Sequence, residues 1–284
     1  MTNYTVYDVF TDQAFGGNPL AVVFDADHLT SNQMQIIARE FGLSETTFVL
    51  QPEDAAHDAK VRIFTPVLEM QFAGHPTVGT ALALRDAGRV GDDMVLELGV
   101  GPIPVAVQDG NARFVTKVPL QTSEAASVDA IAACIGLDAS ALRVDRHGPI
   151  TAGLGTDFVL AELNDRAALA DATPDVPAFR TVAGPDAARM GILVYCRDEV
   201  QIDARMFAPL GGIMEDPATG SAAAALVAYL GQLEGRSNTY TISQGVDMGR
   251  PSLITGEVTV ENGQPVAVAI SGKAVKVMEG RLTL

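Results

Sequence analysis

The sequence predicts an α+β chain made of two related halves. Its 284 residues are long for one compact core and suit two domains of ordinary size. Short strand-like runs mix with helical stretches at hairpin-length spacings, which is the pattern of an α+β architecture. The second half also repeats motifs of the first at half the chain length.

A strand is expected over residues 4–10. The turn-rich Asp12-Gln13-Ala14-Phe15-Gly16-Gly17-Asn18-Pro19 follows, and a strand over 20–24 closes a hairpin. Ser31 opens a helix in which Met34, Ile37, Ala38 and Phe41 fall at i, i+3, i+4 and i+7, giving one apolar face that Gly42 ends. A strand over 46–50 comes next, so Glu45 lies at a helix–strand joint. Val61 and Ile63 alternate with Arg62 and Phe64 on a further strand that stops at Pro66. A loop then runs to His75-Pro76, a helix spans 77–87, and strands are expected over 94–98, 103–108 and 113–117. Residues 119–126 are polar, contain a proline and read as a linker, ahead of a helix capped by Ser127. The halves are therefore drawn as residues 1–118 and 119–269, with the last residues, about 270–284, treated separately below.

Two blocks carry the repeat. Arg62-Ile63-Phe64-Thr65-Pro66-Val67 matches Arg205-Met206-Phe207-Ala208-Pro209-Leu210, and His75-Pro76-Thr77-Val78-Gly79-Thr80-Ala81 matches Asp216-Pro217-Ala218-Thr219-Gly220-Ser221-Ala222. The offsets are 143 and 141 residues, and half the chain is 142. Two unrelated strand–loop–helix units could share either block. Both blocks in the same order at the half-length offset point to duplication.

With 19 basic and 35 acidic residues the net charge is −16, which argues against nucleic acid or an anionic membrane as a partner. Cys134 and Cys196 are far apart in apolar stretches and read as buried free thiols, not as a disulfide or a catalytic pair. Residues 1–12 lack a basic region followed by an apolar run, and the Ala-rich stretch 220–229 is too short to span a bilayer. A cytoplasmic, reducing setting is expected. A homodimer is the default expectation for oligomeric state.

An anionic substrate would need a locally positive site that this surface does not supply. The repeated loops offer one. In each, a strand ends at a proline, a polar residue precedes a second proline, and Thr, Gly and Ser or Thr lead into an Ala-rich helix. Such a helix start presents N–H groups and the positive end of the dipole to an anion. Gly79 and Gly220 are expected to let a ligand approach the backbone. The plainer alternative is an ordinary helix cap in each half.

His75, between Gly74 and Pro76, is expected to lie off any helix face and to titrate near neutrality, while His28, His57 and His147 read as surface residues. Asp216 stands at the matching place, so the two loops offer an acid–base couple. Glu45 is either a solvated loop residue or, if buried beside His75, a carboxyl suited to moving a proton. It has no acidic twin near Asp157-Phe158-Val159. Nucleotide, zinc and nucleophile-elbow signatures are absent, so no cofactor and no metal is expected.

Val6-Tyr7-Asp8-Val9-Phe10-Thr11 with Phe15-Gly16-Gly17-Asn18-Pro19-Leu20-Ala21-Val22 resembles the opening of the phenazine-biosynthesis PhzF-like isomerase family. Further resemblance lies in Ser44-Glu45-Thr46-Thr47-Phe48, in Phe72-Ala73-Gly74-His75-Pro76-Thr77-Val78-Gly79, and in Glu215-Asp216-Pro217-Ala218-Thr219-Gly220-Ser221. Gln244-Gly245 and Met248-Gly249-Arg250-Pro251-Ser252 are similar to its C-terminal strands.

The resemblance implies a diaminopimelate-epimerase-like fold of two pseudo-symmetric domains, each a curved, mostly antiparallel sheet around a central helix, with the active site in a cleft between them. It also implies that residues from about 270 return to the first domain. By the same resemblance Glu45, His75 and Asp216 are the expected catalytic residues. Asn18, Gly74, Thr77, Thr219, Gly220 and Ser221 are the expected substrate-binding set. The implied activity is cofactor-free proton transfer on a small carboxylate-bearing, cyclic or amino-acid-like substrate. In related epimerases two cysteines occupy the facing loops. Here those places hold Gly74 and Asp216, which disfavours a two-thiol mechanism. An epimerase or racemase with non-thiol bases, and a binding protein that keeps the cleft, remain the alternatives.

Overall fold

The structure, a computed structural model, describes residues 2–184 and 190–283. The chain forms two compact units, Met1–Val115 with Ile270–Leu284, and Thr116–Ala269.

In the first unit β1 (Thr2–Val9) and β2 (Asn18–Val23) form an antiparallel pair. Helix α1 (Ser31–Phe41) then carries the chain to β3 (Glu45–Leu50), which lies parallel to β2. Thr30 accepts from the Gln33 amide while the Gln33 side chain returns to Thr30, and Gly42 ends the helix at φ 64°. The start and stop thus fall where the expected pattern puts them, with the cap one residue before Ser31.

Strand β4 (Ala59–Phe64) pairs antiparallel with β3, and the short β5 (Glu69–Met70) folds back on β4. Helix α2 (Gly74–Asp86) leads to β6 (Asp93–Leu98), parallel to β4, and then to β7 (Gly101–Gln108) and β8 (Asn111–Thr116). The last long strand, β17 (Gln264–Leu282), pairs antiparallel with β1 from Ala274 to Leu282.

The second unit opens with β9 (Gln121–Glu124), α3 (Val128–Cys134), β10 (Ile150–Gly153) and β11 (Asp157–Glu162). Helices α4 (Arg166–Asp171) and α5 (Val176–Val182) precede β12 (Ile192–Asp198) and β13 (Gln201–Ala208). Then come β14 (Ile213–Asp216), α6 (Gly220–Glu234), β15 (Asn238–Gln244) and β16 (Ser252–Glu261). Residues 119–126 are thus not a bare linker. They contain β9, which pairs with β10. All four of its residues are exposed, so no inward-facing apolar alternation marks it in the sequence.

The duplication extends well beyond the two sequence blocks. The pairings β1–β2 antiparallel, β2–β3 parallel, β3–β4 antiparallel and β4–β6 parallel recur as β10–β11, β11–β12, β12–β13 and β13–β15, with the same polarity. The small hairpin recurs too. Arg62 on β4 makes two 2.7 Å bonds to Glu69, and Arg205 on β13 makes two 2.8 Å bonds to Glu215. Each guanidinium also lies over the phenylalanine two residues on, Phe64 or Phe207, at 5.1 and 5.0 Å.

Each unit is centred on one helix. In α2 every residue from Gly74 to Leu84 is buried, and α6 is buried on nearly all sides, as a core helix is and a surface helix is not. Helix α2 packs on β1, β2, β3 and β7, and α6 on β10, β11, β15 and β16. Close packing of helix on sheet explains two glycines. A Cβ on Gly79 would stand 2.6 Å from both Leu20 Cδ2 and Val9 Cγ2, and one on Gly231 would stand 2.7 Å from Val258 Cγ1. Gly79 therefore serves helix–strand contact, which replaces the expectation that it clears space for a ligand. Among the described residues no helix is long and apolar enough to cross a membrane.

Candidate active site

Three strand and helix ends meet in the first unit. Gly17 adopts φ +62°, and a Cβ there would lie 2.4 Å from the Val9 carbonyl oxygen, so the turn into β2 requires glycine. That turn delivers Asn18, which is wholly buried. Strand β3 begins at Glu45, level with Leu20. Helix α2 starts at Gly74, three residues earlier than the sequence pattern predicts, because Pro76 fits the first turn of a helix, where its missing N–H is not needed. His75 is thus a first-turn helix residue, buried to 3% exposure, and not a loop residue.

These side chains form one polar chain. Ser44 Oγ donates to Asn18 Oδ1 at 3.0 Å, and Asn18 Nδ2 lies 3.4 Å from His75 Nδ1. Glu45 Oε2 is 3.6 Å from the same Nδ1. Burial pushes the His75 imidazole down to a pKa of about 3. The nearby carboxylate would favour the charged form, but 3.6 Å is beyond hydrogen-bond length, so burial wins and the ring is neutral at neutral pH. His75 Nε2 is buried with no hydrogen-bond partner among the described residues. An unpartnered buried polar atom is destabilising by about 1–3 kcal/mol, so it calls for a functional explanation.

In the second unit Asp216 ends β14 and is buried, with Thr219 Oγ1 donating to its Oδ2 at 2.5 Å. Gln244, the last residue of β15 and fully buried, spans the same turn. Its Nε2 donates to the Asp216 carbonyl at 2.8 Å and to Thr219 Oγ1 at 3.1 Å, and its Oε1 accepts from the Thr219 amide at 3.3 Å. The signal for Gln244 was present in β15: Tyr240, Ile242 and Gln244 are buried at alternate positions, which places an amide on an otherwise apolar face.

Of the other expected site residues, Gly74 and Gly220 are the first residues of α2 and α6, Thr77 Oγ1 donates to Ala73 O at 2.8 Å, and Ser221 is half-buried in the first turn of α6. Neither N-cap residue, Ala73 or Thr219, caps its helix with its own side chain.

The halves differ in one respect that bears on chemistry. Thr46 pairs with Phe64 and Ile192 with Phe207, and the two phenylalanines are matched in the repeat, so Glu45 has its counterpart at Gly191, just before buried, apolar Ile192. The position equivalent to Glu45 is therefore Gly191, which has no side chain, and not the Asp157 region. Cys134 lies in α3 and Cys196 in β12, both buried and free, and burial raises each thiol to a pKa of about 11. His147 differs from the surface reading given to it. It is buried, with Nε2 2.6 Å from the Tyr195 hydroxyl and 3.8 Å from Glu162 Oε2. Among the described residues no group of three or more His, Cys, Asp or Glu is placed to hold a metal ion.

Two repeated α+β units, each wrapped on a buried helix, define an epimerase-like isomerase frame. The comparisons with known proteins agree. The family described as phenazine biosynthesis-like protein matches residues 7–280. An uncharacterized isomerase of Mesorhizobium japonicum is 40% identical, over 99% of this chain and 98% of its own. Trans-2,3-dihydro-3-hydroxyanthranilate isomerase of Pseudomonas aeruginosa is 38% identical over the whole of both chains. The crystal structure of a PhzF-family phenazine biosynthesis protein of Bacillus anthracis superposes with a TM-score of 0.89 at 29% identity, covering both chains fully. The chain belongs to the phenazine biosynthesis-like, PhzF family of isomerases.

Proposed function

We propose that this isomerase shifts a proton on a small, carboxylate-bearing cyclic substrate of the kind named for its Pseudomonas aeruginosa relative, trans-2,3-dihydro-3-hydroxyanthranilate. Glu45 takes a C–H proton beside an unsaturated system. The electron pair left behind moves through that system, and Glu45 or a neighbour returns a proton at another carbon, so a double bond moves and nothing is oxidised or reduced. Neutral His75 donates or accepts a hydrogen bond without adding charge. The start of α2, beside His75 in the same unit, suits a substrate carboxylate and the charge that develops during transfer.

The observation that carries the reading is the placement of Glu45 beside buried, neutral His75, with Gly191 at the equivalent place in the other unit. Glu45 thus has no ionisable counterpart in the repeat, which favours one-sided proton transfer over a symmetric pair of carboxylate bases.

Incubation with trans-2,3-dihydro-3-hydroxyanthranilate in deuterated water, followed by NMR, tests it. The expected product has a shifted double bond and deuterium at the carbon that receives the proton. Inversion with deuterium at the original α-carbon would make the chain an epimerase instead. Tight binding with neither turnover nor exchange would make it a binding protein.

A further inference from the structure

The geometry points to Gln244 as a positioning residue that fixes Asp216 and turns the Thr219 hydroxyl onto it. Gln244 makes three hydrogen bonds to one four-residue turn: to the Asp216 carbonyl, to Thr219 Oγ1 and from the Thr219 amide. An amide nitrogen can only donate, so Thr219 Oγ1 must accept from it. The hydroxyl hydrogen is then directed to another acceptor, and the Asp216 carboxylate lies 2.5 Å away. Orientation passes in one direction, from the Gln244 amide to the Thr219 hydroxyl to Asp216.

The backbone locks the same arrangement from the next position. Gly245 has φ +74°, and a Cβ there would stand 2.7 Å from the Pro217 carbonyl oxygen and 2.4 Å from that of Arg250. The end of β15 therefore sits against the Asp216 turn as closely as a backbone can. The first unit uses the same device: buried Asn18, itself held by Ser44, lies against His75. Each half thus sets its polar site residue with a buried amide.

The consequence for rate rests on the proton-shifting reading, whereas the consequence for geometry does not, so two measurements separate them. Crystal structures of Q244L and Q244E are compared with wild type. Leucine removes all three bonds, and a glutamate carboxylate keeps an acceptor for the Thr219 amide but loses both donations; Q244E keeps the test open if Q244L does not fold. The expected result is an Asp216 carboxylate that leaves Thr219 Oγ1 or occupies more than one rotamer. A single wild-type rotamer with the Thr219 contact intact in either folded variant overturns the inference.

In kinetics, Q244L lowers kcat by about 10–100-fold and changes KM by less than about threefold, as expected when a reacting group is misplaced by an ångström or less. T219V alone has a similar effect, and Q244L with T219V loses little more than either, because both break one relay. Full additivity, or a loss confined to KM, also overturns it. Absence of any wild-type turnover would reject the proton-shifting reading, while the crystal structures would still decide the role of Gln244.

Discussion

His75 shows how burial decides the state of a side chain at a site. Its imidazole is neutral because the cost of charging it away from water exceeds what a carboxylate 3.6 Å away returns. The linkage is direct. The unfolded chain binds a proton on this ring near its ordinary pKa of 6.5, and the folded chain does not until about pH 3. Above pH 6.5 the ring has no effect on stability. Between 6.5 and 3 the unfolded state binds more protons, so stability falls as pH falls, by up to about 1.4 kcal/mol per pH unit. Urea midpoints of wild type and H75N across this range test it: the variant should lose less stability on acidification, and parallel curves would count against a buried neutral ring. Motif reading singled out His75 and Asp216, since each precedes a proline near a helix start. It missed Gln244, whose role is visible only once a strand end meets a turn 28 residues earlier. His147 was missed for the same reason: its partner Tyr195 is 48 residues away.

At the scale of elements, the expected periodicity located α1, its apolar face and its glycine stop, because those signals are local. The start of α2 was set three residues late, since a proline was taken to end a loop when it sits within the first helical turn. Strand β9 was read as linker because all four of its residues face solvent. Packing of the central helices gives a prediction that runs against propensity. In an exposed helix, replacing glycine by alanine stabilises by about 0.5–1 kcal/mol. At Gly79 the new methyl would meet Leu20 and Val9, both fully buried, within 2.6 Å. G79A should therefore destabilise by about 1–3 kcal/mol, the usual effect of overpacking, as read from the denaturant midpoint. A stabilised G79A would mean that α2 does not seat on β1 and β2 as described.

Across the whole molecule, duplication was legible from two short blocks and proved to extend through four successive strand pairings. The sequence already set His75 against Asp216 and left Glu45 without an acidic twin, but it did not show which residue stands in the place of Glu45, because that counterpart is defined by strand register. The thiols make the placement of the second core testable. Cys134 and Cys196 are buried, with pKa values pushed up to about 11, so neither should react with a disulfide reagent at pH 8 until the protein unfolds, when both should. Rapid reaction of one thiol in the native state would contradict that packing. The proposed activity depends on one-sided proton chemistry within a duplicated frame, and Glu45 is the group on which it turns. The decisive measurement is the rate of solvent deuterium incorporation by Glu45→Gln alongside wild type, with substrate affinity measured by calorimetry. A loss of about 10²–10⁴-fold in exchange is expected, typical for removal of a general base, with binding retained. Exchange at the wild-type rate in the variant would contradict it.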